Sequence, residues 1–406
     1  MNEPLLTRRR FVALGGTLAL AGASPLLGGC GGTAPAAPPT LRVHLSLSAY
    51  ERAFFARAIV PPFEQAQNVR VALADRTTDE AIEDLYADRA RFDLLAVDTE
   101  RLGALIADRL ALDVSDQRPT LAAPILPSTL GALERAGRLH ALPYRPTAWV
   151  TFYNRALLAR ASVEPPRTWD DLLTAAARLR DAAGGRVALQ GASGAPAAQS
   201  LVELIWAFGG DPLAPVDAGA LAAGDYLARL APLLAPGARD AKFDTLTAAL
   251  AADRVALGPN WPIVAADLVQ RGGKPEIAVA ATLAGPAGDA RVLSGQVLIV
   301  PTGSRQPALA LALAAHLRSR EVQRSLVGQL AWFPLRDDAF DAAPAWQTET
   351  ATALREALRT ARAVPPLANR EAFDLALGTA FRRIAFEGIA PASALAQAAA
   401  AVTSLR

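Results

Sequence analysis

The chain has 406 residues, 52% of them hydrophobic and 20% charged, with a formal net charge of +2. That is enough apolar content for two cores rather than one, and the near balance of charge gives no argument for a nucleic-acid partner. A single cysteine, Cys30, excludes an intramolecular disulfide and any cysteine-based metal cluster.

In chain order, Thr7-Arg8-Arg9-Arg10-Phe11-Val12 reads as the basic region of a twin-arginine export signal. The apolar segment Phe11–Leu27 follows, diluted by Gly15, Gly16, Gly22 and Pro25, too short and weak for a membrane span. Leu27-Gly28-Gly29-Cys30 closes it and resembles a lipobox, in which the cysteine is lipidated and becomes the new N-terminus. The only cysteine standing at that position makes the match specific. Residues 1–29 are therefore expected to be a signal peptide, and residues 30–40 a lipid-anchored Gly/Ala/Pro linker. Removing Met1–Gly29 takes away Arg8, Arg9, Arg10 and Glu3, which leaves acid and base in balance.

Beyond the linker, strand and helix signals alternate. Leu41–Leu47 is an expected strand with a polar exit at Ser46–Glu51, followed by helical spacing that Pro61-Pro62 should interrupt. Val69–Leu73 and the apolar run Phe92–Val97 are further strands. Asp98-Thr99-Glu100-Arg101 sits at the C-terminal end of the latter, where doubly wound sheets bind ligands, and equally reads as a helix start. The run Ala141–Tyr153 carries Pro143 and Pro146, so it reads as a strand leaving one sheet and, after a bend, one entering another. Thr168-x-x-Asp171 matches a capping box. Ser200–Phe208, Leu221–Leu234, Phe243–Leu250 and Ile263–Arg271 are helical, Leu293–Val300 is a strong strand, and helices dominate from Trp346 onward. Alternation in two blocks predicts two α/β lobes.

Several segments resemble, in order, family 1 extracellular solute-binding proteins of ABC importers, the group that includes maltodextrin-binding proteins. They are Ala141-Leu142-Pro143-Tyr144, Tyr153-Asn154-Arg155-Ala156-Leu157-Leu158, Pro165-Pro166-Arg167-Thr168-Trp169-Asp170-Asp171-Leu172, Trp206-Ala207-Phe208-Gly209-Gly210-Asp211, Gly258-Pro259-Asn260-Trp261, Leu293-Ser294-Gly295-Gln296 and Trp332-Phe333-Pro334-Leu335-Arg336. The resemblance implies a type II periplasmic-binding-protein-like fold: two Rossmann-like lobes joined by a multi-segment hinge, with C-terminal helices. Its crossings would fall near Arg145–Thr147, Ala280–Gly285 and Phe333–Arg336. The N-terminal lobe would be 41–144 plus 286–332, and the C-terminal lobe 145–285 plus 333–406.

Carried over position by position, the resemblance points to Asp98, Glu100, Arg101, Thr147, Gln199 and Trp261 as ligand contacts; Tyr144 and Asn260 could add a ring face and an amide, and Cys30 is the expected lipidation site. Val97, Thr147 and Gln199 depart from the maltodextrin pattern, removing an aromatic, a carboxylate and a stacking tyrosine. The expected ligand is thus a small sugar or polyol other than maltose, held by ring stacking and paired hydrogen bonds. Expected partners are that solute, a membrane ABC permease, and the membrane itself through the lipid anchor. A monomer without cofactor, metal or nucleic acid is expected. Catalytic signals are thin: His44, His140 and His316 are scattered, and Gly191-Ala192-Ser193-Gly194 lacks the second glycine of a nucleophile elbow. A sensor subunit on the same scaffold, and more remotely a lipoprotein hydrolase, remain as alternatives. If Cys30 carries the anchor, Cys30→Ser should move the protein from the membrane pellet to the soluble fraction on cell fractionation.

Overall fold

The structure, a computed structural model, describes residues 37–122, 124–181 and 186–405. The export signal, Cys30 and most of the linker lie outside the described residues. Two sheets organise the rest. The first takes strands Thr40–His44, Arg70–Leu73, Leu94–Asp98, Leu142–Thr147 and Ser294–Ile299. Thr40–His44 pairs in parallel with Arg70–Leu73 and Leu94–Asp98, as crossover helices require. Ser294–Ile299 then runs antiparallel between Leu94–Asp98 and Leu142–Thr147. The second sheet is ordered Ile277–Ala280, Val150–Asn154, Val255–Asn260, Arg186–Val187.

Pro143 and Pro146 fit because Leu142–Thr147 is an edge strand, where a missing N–H leaves no central ladder bond unmade. The chain leaves the first sheet at Thr147 and enters the second at Val150. Pro61-Pro62, expected to interrupt a helix, do not. The helix starting at Ala49 passes through a π-turn at Phe55–Ile59 and continues as Val60–Gln67. The prolines occupy the first turn of that last segment, where their missing N–H costs least. The expected helix over Ile263–Arg271 is a π-turn at Ala266–Arg271.

Two cores accompany the two sheets. One is built on Leu41, Val43, Leu94–Val97 and Val297–Val300; the other on Val150, Phe152, Leu201, Ile205, Leu354 and Phe381. Their membership shifts the expected boundaries. Ala290, Val292 and Leu293 belong to the second core, so 286–293 does not join the first lobe; the return crossing is at Leu293–Ser294, not near Ala280–Gly285. Leu335 belongs to the first core, and Phe340 is the next buried apolar residue of the second, which carries the last crossing just past the expected span. Leu126 and Ala132, from the first block, also pack in the second core.

A buried ion pair explains where the return crossing falls. Arg291 and Glu203 are about 1% and 2% exposed and meet at 2.6 Å. Arg291 also donates to Thr151 Oγ1 at 2.8 Å, and the Val292 N–H donates to the other Glu203 oxygen at 3.1 Å. Ala290–Leu293 is thereby tied to helix Ala195–Ala207 and to the Val150–Asn154 strand before it is released into the first sheet. Removing one partner strands a desolvated charge. Glu203→Leu should cost about 3–5 kcal/mol in urea unfolding, and adding Arg291→Met should recover most of that loss.

Candidate functional site

The crossings converge on a cleft of about 500 Å³, within the range of small-molecule sites. Its first-lobe wall is polar. Ser46 follows the Thr40–His44 strand; Glu51 lies in the first turn of the next helix; Arg145 and Gln296 face each other across paired strands. Ser48 and Glu51 form a reciprocal capping box, which fixes the Glu51 carboxylate near the cleft floor. Trp332 donates its indole N–H to that carboxylate at 2.6 Å. The Arg145 guanidinium lies 3.5 Å from the same carboxylate oxygen and 3.8 Å above the Trp332 ring. Burial works to raise the Glu51 pKa, but Arg145, Ser48 and the Trp332 N–H together hold it below the ordinary carboxylate value. Behind, Phe55 and Tyr144 pack on Trp332 at 5.5 and 5.7 Å.

The facing wall is apolar. It carries Trp261, Pro262, Ile263, Phe333 and Trp346, with Ile263 58% exposed. Arg271 is its only arginine, and it is paired with Asp267 one turn earlier. Trp261 stands edge-on to the fully buried Trp149, ring centres 5.8 Å apart. The floor between the walls is Pro146, Thr147 and Gly295. Two roomier grooves, around Glu349 and around Arg178, are lined by second-lobe residues alone. Among the described residues no group of His, Cys, Asp or Glu is arranged to hold a metal ion.

The two-lobe α/β fold is what the comparisons with known proteins also find. The family model for bacterial extracellular solute-binding proteins matches residues 58–353. The chain belongs to that family. No curated protein sequence matches it significantly. Solved structures share the fold at low identity. The GacH receptor of Streptomyces glaucescens, solved unliganded and with acarbose, is 20% identical with a TM-score of 0.71, covering 91% of this chain and 98% of that one. A cyclic α-maltosyl-1,6-maltose binding protein from Arthrobacter globiformis is 17% identical with a TM-score of 0.77, covering 91% and 99%. An ABC transporter solute-binding protein from Thermotoga lettingae, bound with α-D-tagatose, is 21% identical with a TM-score of 0.72, covering 90% and 99%. Family membership places this solute-binding protein outside the cytoplasm, and among the described residues no helix is long and apolar enough to cross a membrane.

Of the residues expected as ligand contacts in this solute-binding protein, Thr147 and Trp261 line the cleft. The others do not. Asp98 stands directly behind the first-lobe wall, bonded to Gln296 at 3.3 Å. Glu100 turns to Ser294, whose hydroxyl donates to it at 2.5 Å. Arg101 pairs with Asp79 on the surface at 2.9 Å. Tyr144 is fully buried behind Trp332. Gln199 lies on helix Ala195–Ala207, one turn before Glu203. Asn260 is fully buried and organises its neighbours: its Oδ1 accepts from the Trp261 N–H and from Gln190, while its Nδ2 donates to the Phe243 carbonyl and Thr247. It aims Trp261 rather than touching the cleft.

The residues missed are Ser46, Glu51, Arg145, Gln296, Trp332 and Trp346. The rule that drew attention to Asp98, ligands beyond the carboxyl ends of strands, applies equally to Ser46–Glu51 after the first strand. Gln296 and Trp332 lay inside motifs that marked the family, and Arg145 directly followed one. Asn260→Ala should lower stability in urea unfolding by about 1–3 kcal/mol, because it leaves the Trp261 N–H without its acceptor.

Proposed function

We propose that this protein is a lipid-anchored extracytoplasmic receptor. It binds a small, uncharged, hydroxyl-rich solute, a sugar or polyol, in the inter-lobe cleft and hands it to the permease of an ABC importer. The observation that carries the reading is the contrast between the two walls. On one side the charges are already matched: Glu51 to Arg145, and across the cleft Arg271 to Asp267. A solute with net charge would leave one of these pairs unbalanced in a partly dry site. On the other side Trp261, Trp346 and Phe333 offer apolar rings, which suit the C–H face of a sugar. Trp332 cannot stack in the same way, since Arg145 covers its face.

Closure brings the walls together by rotation about the crossings at Ala148–Trp149, Leu293–Ser294 and Leu335–Phe340. The solved neighbours, caught with acarbose or tagatose, support the sugar class without fixing which sugar this chain takes. The lipobox at Cys30 supplies the anchor and the permease accepts the solute; no cofactor takes part. A panel of neutral sugars, polyols and amino acids tests the reading by thermal shift and urea unfolding. A true ligand at a hundred times its Kd should stabilise the fold by about 2.7 kcal/mol. Trp261→Ala should abolish that gain, and stabilisation only by charged solutes would refute the reading.

A further inference from the structure

We propose that Ser46 is the hydrogen-bond donor of the first-lobe wall, fixed in that role by Asp98 acting through Gln296. The inference rests on the reading of the cleft as a solute site and assigns one of its specificity determinants. Gln296 and Asp98 are directly opposite each other in the antiparallel pair. The Gln296 Nε2 lies 3.3 Å from Asp98 Oδ1 and 2.9 Å from Ser46 Oγ. An ionised carboxylate only accepts, so it selects one of the two amide orientations, the one with the NH2 group towards Asp98. That same NH2 group then donates to Ser46.

Ser46 Oγ also accepts from the Thr78 hydroxyl at 3.0 Å. With Thr78 donating, both lone pairs are occupied and the Ser46 O–H proton is the function left over; a solute oxygen at Ser46 selects this arrangement over the reverse, in which Ser46 donates to Thr78. Ser46 lines the cleft, where such an oxygen would sit. The backbone supports the same conclusion. Ser46 has φ +52°, a left-handed conformation that serine rarely adopts and that persists where surrounding bonds hold it. Here Gln296 and Thr78 hold it. Ser46 therefore presents a donor to an oxygen of the solute, whether hydroxyl, ring or glycosidic, and disfavours a group that can only donate. Asp98, expected as a ligand contact, is a positioning residue one bond behind.

Three proteins test this: the wild type, Ser46→Gly and Asp98→Asn. Glycine adopts φ +52° without strain, so Ser46→Gly removes the hydroxyl while its melting temperature stays level or rises. With the tighter-bound of tagatose and sorbitol as the calorimetric probe, Ser46→Gly should bind about tenfold more weakly, the worth of one neutral hydrogen bond. A ligand-free readout accompanies it. The Gln296 side-chain amide signals in NMR should titrate with Asp98 in the wild type and be flat in Asp98→Asn. Asp79, Glu100 and Arg101, the other charges acting on Asp98, are unchanged in both proteins. Ser46→Gly binding that probe as tightly as the wild type overturns the proposal. So do Gln296 signals that ignore pH, or that titrate equally without Asp98. A wild type that gives no heat with tagatose or sorbitol counts instead against the sugar-or-polyol reading, and the Gln296 titration then decides the donor role.

Discussion

The cleft depends on one close approach. Gly295 opens the strand that returns to the first sheet, with φ +112°, and a Cβ there would lie 2.0 Å from the Arg145 carbonyl oxygen. Only glycine lets the Ser294–Ile299 and Leu142–Thr147 strands meet at that point. Because they meet, Gln296 is set between Asp98 on one side and Arg145 on the other. The irregularity after Gln296 then shifts the register, pairing Val297 with Pro143 and leaving Tyr144 free to turn inward against Trp332. One backbone contact thus determines where the guanidinium, the amide and the supporting ring stand.

The two walls are built by different means. On the first lobe, side chains hold one another: Ser48 caps the helix that carries Glu51, Glu51 accepts from Trp332, and Arg145 lies over the indole. Such a wall is preorganised, and its polar groups need little reordering to meet a solute. On the second lobe, buried amides hold the backbone instead. Gln190 and Asn260 fix the turn that points Trp261 forward, with Trp149 behind it. The Arg291–Glu203 pair keeps the return crossing attached to this second body.

Much of the fold was legible in the sequence, because apolar periodicity and proline placement act locally. The runs Leu94–Asp98 and Ser294–Ile299, the capping box at Thr168 and Asp171, and the proline-marked exit at Leu142–Thr147 all follow from residue chemistry. The site was less legible. Trp261 and Thr147 line the cleft as expected of their positions, but Asn260 and Tyr144 are buried supports, since a polar or aromatic residue next to a cleft looks the same in sequence whether it faces in or out. Glu51 and Arg145 are 94 positions apart, and Trp332 is 281 from Glu51; nothing local announces that they touch. The boundary near Ala280–Gly285 was displaced by a buried pair 88 positions apart, which no periodicity reveals.

If the inter-lobe cleft, and no other surface, receives the solute, a crystal structure of the protein purified from its own host, without added ligand, will show it. Density should appear for a compact, oxygen-rich, uncharged molecule lying on Trp261 and bonded to the Ser46, Glu51 and Arg145 side. Solute density in the groove around Glu349 or around Arg178, with the cleft filled only by water, would contradict it.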